Sequence, residues 1–137
     1  MTAATDNIEF VKGMYKAFAN GDVPSVLAAF DDNIEWNEAE GNPYNPGHPF
    51  VGPAAVVEGV FARAGDDLDG FEIRPERFLA DGDTVVMLGR YWGAKAHATG
   101  EPLDVQAVHV WDLKDGKAVR FQQYVDTLHF ASAVGGN

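Results

Sequence analysis

Cysteine is absent from the sequence, and basic residues are scarce. The lack of cysteine excludes disulfides, thiol nucleophiles and thiolate metal sites. Only 10 Lys and Arg residues accompany 21 Asp and Glu residues, which gives a formal net charge of -11. Nucleic acids and anionic membranes are bound through basic patches, so we expect neither as a partner. Long apolar runs are missing too, since none approaches the ~20 residues that a membrane span needs.

Sequence motifs for metals, nucleotides and activated serines are also missing. The histidines show neither HExxH nor close-paired spacing, so we expect no metal site. The only serines, Ser25 and Ser132, lie outside any GxSxG string. Neither GxGxxG nor a P-loop occurs, so we expect no nucleotide cofactor. Residues 1–7 lack the basic and apolar regions of a signal peptide, and we therefore expect a cytoplasmic location.

What remains is the composition of one globular domain. The chain has 137 residues, of which 46% are hydrophobic and 12% aromatic. A chain of this length buries roughly two thirds of its unfolded surface, which is enough for one core. Neither an internal repeat nor a linker divides the sequence. We therefore expect a single domain over residues 1–137.

The first half of the chain predicts three helices and one strand. Asp6 and Glu9 have capping-box spacing ahead of an apolar stripe at helical intervals. Asp22 is placed to cap a second, short helix. Alternating residues 34–38 predict a strand, and residues 41–53 form a loop with four prolines and three glycines. The third helix follows this loop.

The second half predicts strands joined by hairpins. Their ranges are 71–80, 84–98, 103–113 and 118–126. Pro75 marks the first of them as an edge or bulged strand. Helices followed by hairpin-linked strands indicate an α+β domain, in which the helices pack on a curved antiparallel sheet.

Both faces of the long strands carry apolar side chains. Val85, Met87 and Tyr91 point to one side of the strand. Val86, Leu88 and Trp92 point to the other. A sheet face in contact with water should be polar, and the helices can cover only one face. We therefore expect a homodimer that forms through the other sheet face.

Several short strings resemble SnoaL-like proteins of the nuclear-transport-factor-two-like superfamily. They are the helix with Tyr15, Phe18 and Asn20-Gly21-Asp22, then Ile34-Glu35-Trp36, Phe50-Val51-Gly52-Pro53, His109-Val110-Trp111, Asp115-Gly116-Lys117, Phe121, Tyr124 and Asp126. The resemblance implies a cone-shaped α+β fold with an internal pocket for a small apolar or polyketide-like molecule. It also implies a cofactor-independent isomerase, cyclase or dehydratase, or else a non-catalytic ligand-binding dimer. A dimerisation module with a filled interior is a further alternative.

Asp126 is the leading candidate for acid/base chemistry. Strand alternation places it on one face with Gln122 and Tyr124. In the cyclases that this chain resembles, an aspartate in the matching Tyr-x-Asp position is the acid/base residue. A carboxyl group beside an apolar cavity can have its pKa raised by desolvation. The alternative is that Asp126 caps a final helical turn.

His109 and Tyr124 are expected to assist. His109 shares a strand face with Val105, Ala107 and Trp111, so apolar neighbours should enclose it. A histidine in that setting can exchange a proton near neutral pH or can be purely structural.

Further residues are predicted to line the ligand pocket. They are Trp36, Glu38, Tyr44, His48, Phe61, Arg90 and Trp92. Trp36 should form a wall, whereas Glu38 is interpreted as a solvated rim charge in preference to a second buried carboxylate. The loop with Tyr44 and His48 is expected to cover the entrance. An inward Arg90 would need a carboxylate partner such as Asp126.

Overall fold

The computed structural model describes residues 3–135, so residues 1, 2, 136 and 137 of the predicted domain lie outside it. The helices are α1 (Ala3–Ala19), α2 (Val23–Ala28), α3 (Pro53–Val56), α4 (Ala62–Asp67) and α5 (Thr127–Val134), with a π-helical segment (Val57–Phe61) between α3 and α4. The strands are β1 (Phe30–Asn37), β2 (Phe50–Val51), β3 (Leu68–Asp69), β4 (Glu72–Asp81), β5 (Thr84–Gly93), β6 (Lys95–Ala96), β7 (Leu103–Lys114) and β8 (Lys117–Val125).

Six strands form one curved sheet in the order β2-β1-β8-β7-β5-β4, and β3 pairs with β6 in a small second sheet. The α+β class and the hairpins between β4, β5, β7 and β8 are confirmed. The predicted sheet was antiparallel, but one pair of its strands, β1 and β8, is parallel. The chain between β1 and β8 contains helices and other strands. No short hairpin therefore fixes the relative direction of these two strands.

Two helix N-termini were predicted from capping residues, and the structure confirms one of them. The Asp22 carboxylate accepts a hydrogen bond from the Ser25 amide at 3.2 Å, which confirms it as the cap of α2. The predicted capping box at Asp6 is wrong, because α1 is already helical at Ala3. The residues ahead of Asp6 include two alanines, which have the highest helix propensity. The predicted third helix is present as a helical stretch that begins at Pro53 and ends at Asp67.

Strand alternation divides the sheet into a buried and a partly exposed face. Every second residue of β5 and β7 is buried. The buried face is concave and packs against α1, through residues such as Val11 and Met14. On β4, which lies at the sheet edge, the register shifts between Pro75 and Arg77, so the predicted edge bulge is confirmed.

None of the described helices is both long and apolar enough to cross a membrane.

Candidate functional site

A cavity of about 390 Å³ lies between the helices and the concave face of the sheet. Most of its lining is apolar, with Met14, Phe30 and Val60 among the contacts. One water occupies roughly 30 Å³ of liquid, so the space exceeds what a few waters fill. The interior is therefore not filled, which is contrary to the alternative of a solid dimerisation module.

The entrance and the walls differ from the expected arrangement. Two lining residues, Gly21 and Gly65, are exposed, so the cavity reaches the surface between the α1–α2 turn and α4. The 41–53 loop contributes a wall instead of a cover, because Tyr44 is buried in the lining. Its hydroxyl donates to the Asp67 carboxylate at 2.6 Å, and the Arg63 guanidinium lies 4.2 Å from its ring centroid.

Glu38 is a buried carboxyl group inside this cavity. It follows β1 and continues the alternation of buried Ile34 and Trp36, with only 4% of its surface exposed. Trp36 Nε1 donates to one carboxylate oxygen at 2.9 Å, and Asn42 Nδ2 donates to the other at 3.4 Å. The interpretation as a solvated rim charge is wrong. The 41–53 loop folds over Glu38 and supplies Asn42 as its partner.

Burial changes the proton affinity of Glu38. Desolvation raises its pKa from 4.5 to about 7, because the apolar surroundings disfavour the charged form. The indole donor of Trp36 and the positive charge of Arg63 oppose this effect without cancelling it. Both the acid and the carboxylate are therefore populated near neutral pH, as a group that accepts and returns protons requires.

His109 lies on β7 with its ring in the cavity lining, as the sequence predicted. Its side chain is 3% exposed, and burial lowers its pKa from 6.5 to about 3. The Tyr15 hydroxyl lies 2.6 Å from Nδ1, and the Tyr91 hydroxyl forms a short hydrogen bond with Nε2. The imidazole is thus neutral at physiological pH and bridges two tyrosines.

A continuous hydrogen-bonded network joins this tyrosine pair to Glu38. Trp111 Nε1 donates to the Tyr15 hydroxyl at 2.8 Å, and Gln123 Nε2 donates to the Tyr91 hydroxyl at 2.7 Å. The Gln123 carbonyl oxygen accepts from Asn42 Nδ2 at 2.7 Å, and Asn42 also contacts Glu38. Burial raises the pKa of Tyr15 and of Tyr91, so both hydroxyls stay protonated.

Asp126 lies outside the cavity, and its predicted position there is wrong. It caps α5, where its carboxylate accepts hydrogen bonds from the His129 amide at 3.1 Å and contacts His129 Nδ1 at 2.6 Å. These bonds to His129 lower its pKa, the opposite of the expected direction. Alternation grouped Asp126 with Gln122 and Tyr124, but Gln122 and Tyr124 lie on the outer sheet face, opposite the cavity. The adjacent Gln123 points inward.

Four other predicted site residues also lie away from the cavity. Tyr124 is 56% exposed on the outer sheet face. Arg90 pairs with Asp104 at 2.7 Å instead of Asp126, because the odd-numbered residues of β5 face the core. On the same outer face, the Trp92 ring stacks with the Arg74 guanidinium at 4.3 Å. His48 is exposed at the tip of its loop, where Nδ1 lies 2.9 Å from the Pro49 carbonyl oxygen.

The residues that the sequence placed correctly in the cavity lining are Trp36, Glu38, Tyr44, Phe61 and His109. Tyr15, Tyr91, Gln123 and Asn42 were missed as parts of the site. Tyr15 belonged to an apolar helical stripe and Tyr91 to a core strand face, so their hydroxyls gave no separate signal. Among residues 3–135, no group of three or more histidine, aspartate or glutamate side chains is arranged to hold a metal ion.

Solved structures share this fold over nearly their whole length. An NTF2-like protein from Burkholderia thailandensis is 32% identical, with a TM-score of 0.86 and coverage of 93% of this chain and 95% of that chain. TerC, co-crystallised with polyporic acid, is 29% identical, with a TM-score of 0.82 and coverage of 94% and 98%. A candidate SnoaL-like polyketide cyclase from Jannaschia sp. CCS1 has the same fold at 18% identity, with a TM-score of 0.81 and coverage of 100% and 96%.

Sequence comparison gives the same grouping. No curated protein matches the chain. The SnoaL-like domain profile matches residues 11–121, from α1 to β8. That range contains the cavity residues Tyr15, Glu38, Tyr91 and His109. The chain therefore belongs to the SnoaL-like domain family.

Proposed function

We propose that the cavity binds a small apolar molecule and that Glu38 transfers a proton to or from it without a cofactor. The observation that carries this proposal is a buried carboxyl group whose pKa is raised to about 7 inside an apolar cavity. A group that exchanges protons at neutral pH works best when its pKa lies near that pH. Glu38 thereby takes the acid/base role that the sequence suggested for Asp126.

The expected chemistry is proton transfer at carbon. The Glu38 carboxylate would accept a proton from an acidified carbon–hydrogen bond, and the bonding electrons would move into the adjacent carbonyl group to form an enolate. The resulting carboxylic acid would return the proton at another atom. Isomerisation, cyclisation and dehydration all contain such steps, and an apolar cavity favours them by excluding water.

Relatives support a ligand of this general type. TerC, which shares 29% identity, was co-crystallised with polyporic acid. Two candidate polyketide cyclases have the same fold, although at 18% and 20% identity they support the architecture alone. A compact, largely unsaturated or polyketide-like molecule is consistent with the aromatic walls of the cavity.

A non-catalytic ligand-binding protein is the second candidate. It is favoured by the complete pairing of buried polar side chains, since within residues 3–135 no buried side-chain nitrogen or oxygen lacks a hydrogen-bond partner. A fully paired network of this kind needs no catalytic role, because holding the shape of the cavity is a sufficient function for it. Under this alternative, ligands bind in the cavity and leave unchanged.

We also propose that the protein is a homodimer formed through the outer sheet face. Val86, Leu88, Val108 and Val110 lie on that face and are half-buried within a single chain. They are adjacent across β5 and β7 in register. A second copy of the same face is an apolar partner for them, and isologous pairing of this kind is the commonest arrangement of oligomers.

Exchange of carbon-bound hydrogen for deuterium tests the proton-transfer proposal. β-Tetralone is a compact ketone with acidified hydrogens, and its deuteration in heavy water can be followed by proton NMR. We expect the wild type to accelerate exchange and Glu38→Gln to lose at least about a hundredfold of that acceleration. Asp126→Asn is the matched control and should keep the wild-type rate.

Two results would contradict the catalytic proposal. Acceleration that persists in Glu38→Gln would remove Glu38 from the mechanism. Bound β-tetralone that exchanges no faster than in protein-free solvent would support the non-catalytic alternative. Circular dichroism of each variant shows whether the fold is retained.

A further inference from the structure

The wall of the cavity combines many aromatic rings with one acidic side chain. Ten of the residues that line it are phenylalanine, tyrosine or tryptophan. Neighbouring rings meet nearly at right angles, as Trp36 and Phe61 do at 87° and Tyr15 and Trp111 do at 86°, so the wall contains rings in more than one orientation. Aromatic ring faces carry partial negative charge and attract cations. Such a wall can hold the positively charged end of a ligand as well as its apolar body.

The ionisable groups of the lining favour a cation over an anion. Glu38 is the only carboxyl group in the lining, and within the part of the chain that the structure describes, neither lysine nor arginine contributes to it. His109 is the only histidine of the lining and stays neutral, because burial lowers its pKa. An anionic ligand would therefore lack a counter-charge and would meet the Glu38 carboxylate, which makes its burial costly.

The Glu38 carboxylate has acceptor capacity to spare. Trp36 Nε1 donates to one oxygen at 2.9 Å, and the contact of Asn42 Nδ2 with the other is longer, at 3.4 Å. The same Asn42 nitrogen donates to the Gln123 carbonyl oxygen at 2.7 Å, which is the closer of its two partners. A carboxylate offers roughly four acceptor sites. The two donors orient the group and leave room on it for a positively charged ligand nitrogen.

No side chain of the described residues provides Glu38 with a counter-ion. The ion pairs among residues 3–135 do not include it. Arg63 is near enough to lower its pKa, but the Arg63 side chain is exposed, lies outside the lining and stacks its guanidinium 4.2 Å from the Tyr44 ring centroid. An ionised Glu38 is therefore a buried carboxylate without a cation in contact, and a ligand can supply one.

The entrance carries charge of the sign that attracts such a ligand. Asp22 and Asp66 are exposed and directly follow Gly21 and Gly65, the two glycines where the cavity reaches the surface. The net charge of -11 has the same sign at longer range. Electrostatic attraction of this kind raises the local concentration of cations and lowers that of anions.

We propose that the cavity binds an organic cation with an apolar body, such as a lipophilic amine, whose positive charge pairs with the Glu38 carboxylate among the aromatic rings. This inference rests on the proposed ligand-binding function and adds a class of ligand to it, one that competes for Glu38 with proton transfer at carbon. An amine that enters uncharged takes the proton of the Glu38 acid. The O–H bond breaks, the nitrogen lone pair forms an N–H bond, and an ammonium–carboxylate pair results. Cation–π attraction offsets part of the cost of burying both charges.

Two probes of the same shape test the charge. Trimethylphenylammonium and tert-butylbenzene differ only in a positively charged nitrogen against a neutral carbon. Calorimetric titration gives the affinity of each probe at about pH 5.5 and about pH 8.5, on either side of the Glu38 pKa of about 7. The ratio of affinities, cation over neutral probe, should rise about tenfold or more towards the higher pH, because the cation favours the carboxylate. The ratio cancels the unequal costs of removing the two probes from water.

The other titratable groups around Glu38 keep their charge over this range. Burial raises the pKa of Tyr44 and of Tyr91, so both hydroxyls stay protonated, and the lowered pKa of His109 keeps it neutral. Arg63 stays positive, as arginine does in proteins. A change in the ratio therefore reports Glu38 among the groups near the cavity.

Glu38→Gln removes the counter-ion and should keep the ratio of affinities constant, to within about twofold, between the two pH values. Asp126→Asn removes a carboxylate outside the cavity and should retain the full rise of the wild type. A rise that is undiminished in Glu38→Gln would overturn the pairing with Glu38.

The failures of the two proposals can be distinguished. A wild-type ratio that is the same at both pH values, with tert-butylbenzene bound, would overturn the cation inference and leave the ligand pocket intact. Absence of binding by both probes would overturn the pocket itself and the inference with it. Because these wild-type measurements are sufficient, poor folding of Glu38→Gln would not protect the proposal.

Discussion

Glu38 and His109 share one apolar cavity, and burial changes their pKa values in opposite directions. Burial disfavours the charged form of each side chain. The pKa of Glu38 is therefore raised, because its charged form is the carboxylate, and the pKa of His109 is lowered, because its charged form is the imidazolium. The result is a carboxyl group that titrates near neutral pH beside an imidazole that stays neutral. These roles differ from those inferred from the sequence, in which the strand-end Asp126 exchanged protons and His109 or Tyr124 assisted.

The free energy of unfolding should change with pH through both groups. The contribution of Glu38 should fall as the pH rises, whereas that of His109 should increase. The folded-state pKa of Glu38, about 7, exceeds its ordinary value of 4.5, so the folded protein holds a proton that the unfolded chain releases between these pH values. Stability from Glu38 is therefore complete below about 4.5 and is lost as the pH rises to about 7. His109 has a lowered pKa, so its contribution is complete above 6.5 and falls as the pH drops towards 3.

Glu38→Gln separates the two contributions. We expect the difference in unfolding free energy, wild type minus variant, to decrease by roughly 3 kcal/mol between pH 4.5 and pH 7. The variant alone should become more stable as the pH rises from 3 to 6.5, because His109 remains. Urea unfolding at a series of pH values measures both curves. Parallel curves for the two proteins would show that Glu38 is not desolvated.

At the scale of the elements, Asp126 is a structural cap. Asp126→Ala removes the acceptor for the His129 amide at the start of α5, so we expect a lower melting temperature. Asp126→Asn keeps a good capping residue and should melt close to the wild type. Thermal denaturation followed by circular dichroism compares them. A variant pair with equal melting temperatures would show that the cap contributes nothing to stability.

Two glycines in the third helical stretch offer a matched steric test. A methyl group on Gly59 would lie 2.2 Å from a ring carbon of Phe50, whereas one on Gly65 would meet no atom within 4 Å. Gly65→Ala should raise the unfolding free energy by about 0.5–1 kcal/mol through helix propensity. Gly59→Ala should lower it by roughly 1–3 kcal/mol, because the Phe50 ring must move. Chemical denaturation gives both values, and equal effects would contradict the packing of Phe50 against the helix.

Strand alternation shows how far the sequence could predict the site. It placed Ile34, Trp36 and Glu38 on one face, and it placed His109 among buried neighbours, because side-chain direction follows from the strand period alone. It could not decide which face of β8 is concave, and this is why Asp126 was placed inside and Gln123 was overlooked. Facing direction depends on strand register and on the packing of α1, which are tertiary properties.

The class of fold was easier to predict than the site. Hairpin turns and the order of helices and strands are local signals, and they gave the α+β architecture correctly. The parallel pairing of β1 with β8 and the hydrogen bonds of Gln123 with Ala39 and Asn42 join residues that are far apart in the sequence. Spacing within a single segment carries no information about such contacts.

At the scale of the whole molecule, the outer sheet face tests the proposed homodimer. Val110 lies on that face in the middle of β7. Val110→Lys should place a charge in the interface and convert a dimer to a monomer at micromolar concentration. Leu128→Lys adds the same charge at an exposed position of α5, away from the sheet, and should leave the dimer intact. Sedimentation velocity reports the mass of each protein, and a monomeric wild type would contradict the proposal.

The account depends above all on the ionisation of one carboxyl group in a water-poor cavity. Carbon NMR of the glutamate side-chain carboxyls, with Glu38→Gln used to assign the signal, follows Glu38 directly as the pH changes. We expect its resonance to titrate with a pKa of about 7. A titration at the ordinary value of 4.5 would show that water reaches the group, and it would contradict the central claim.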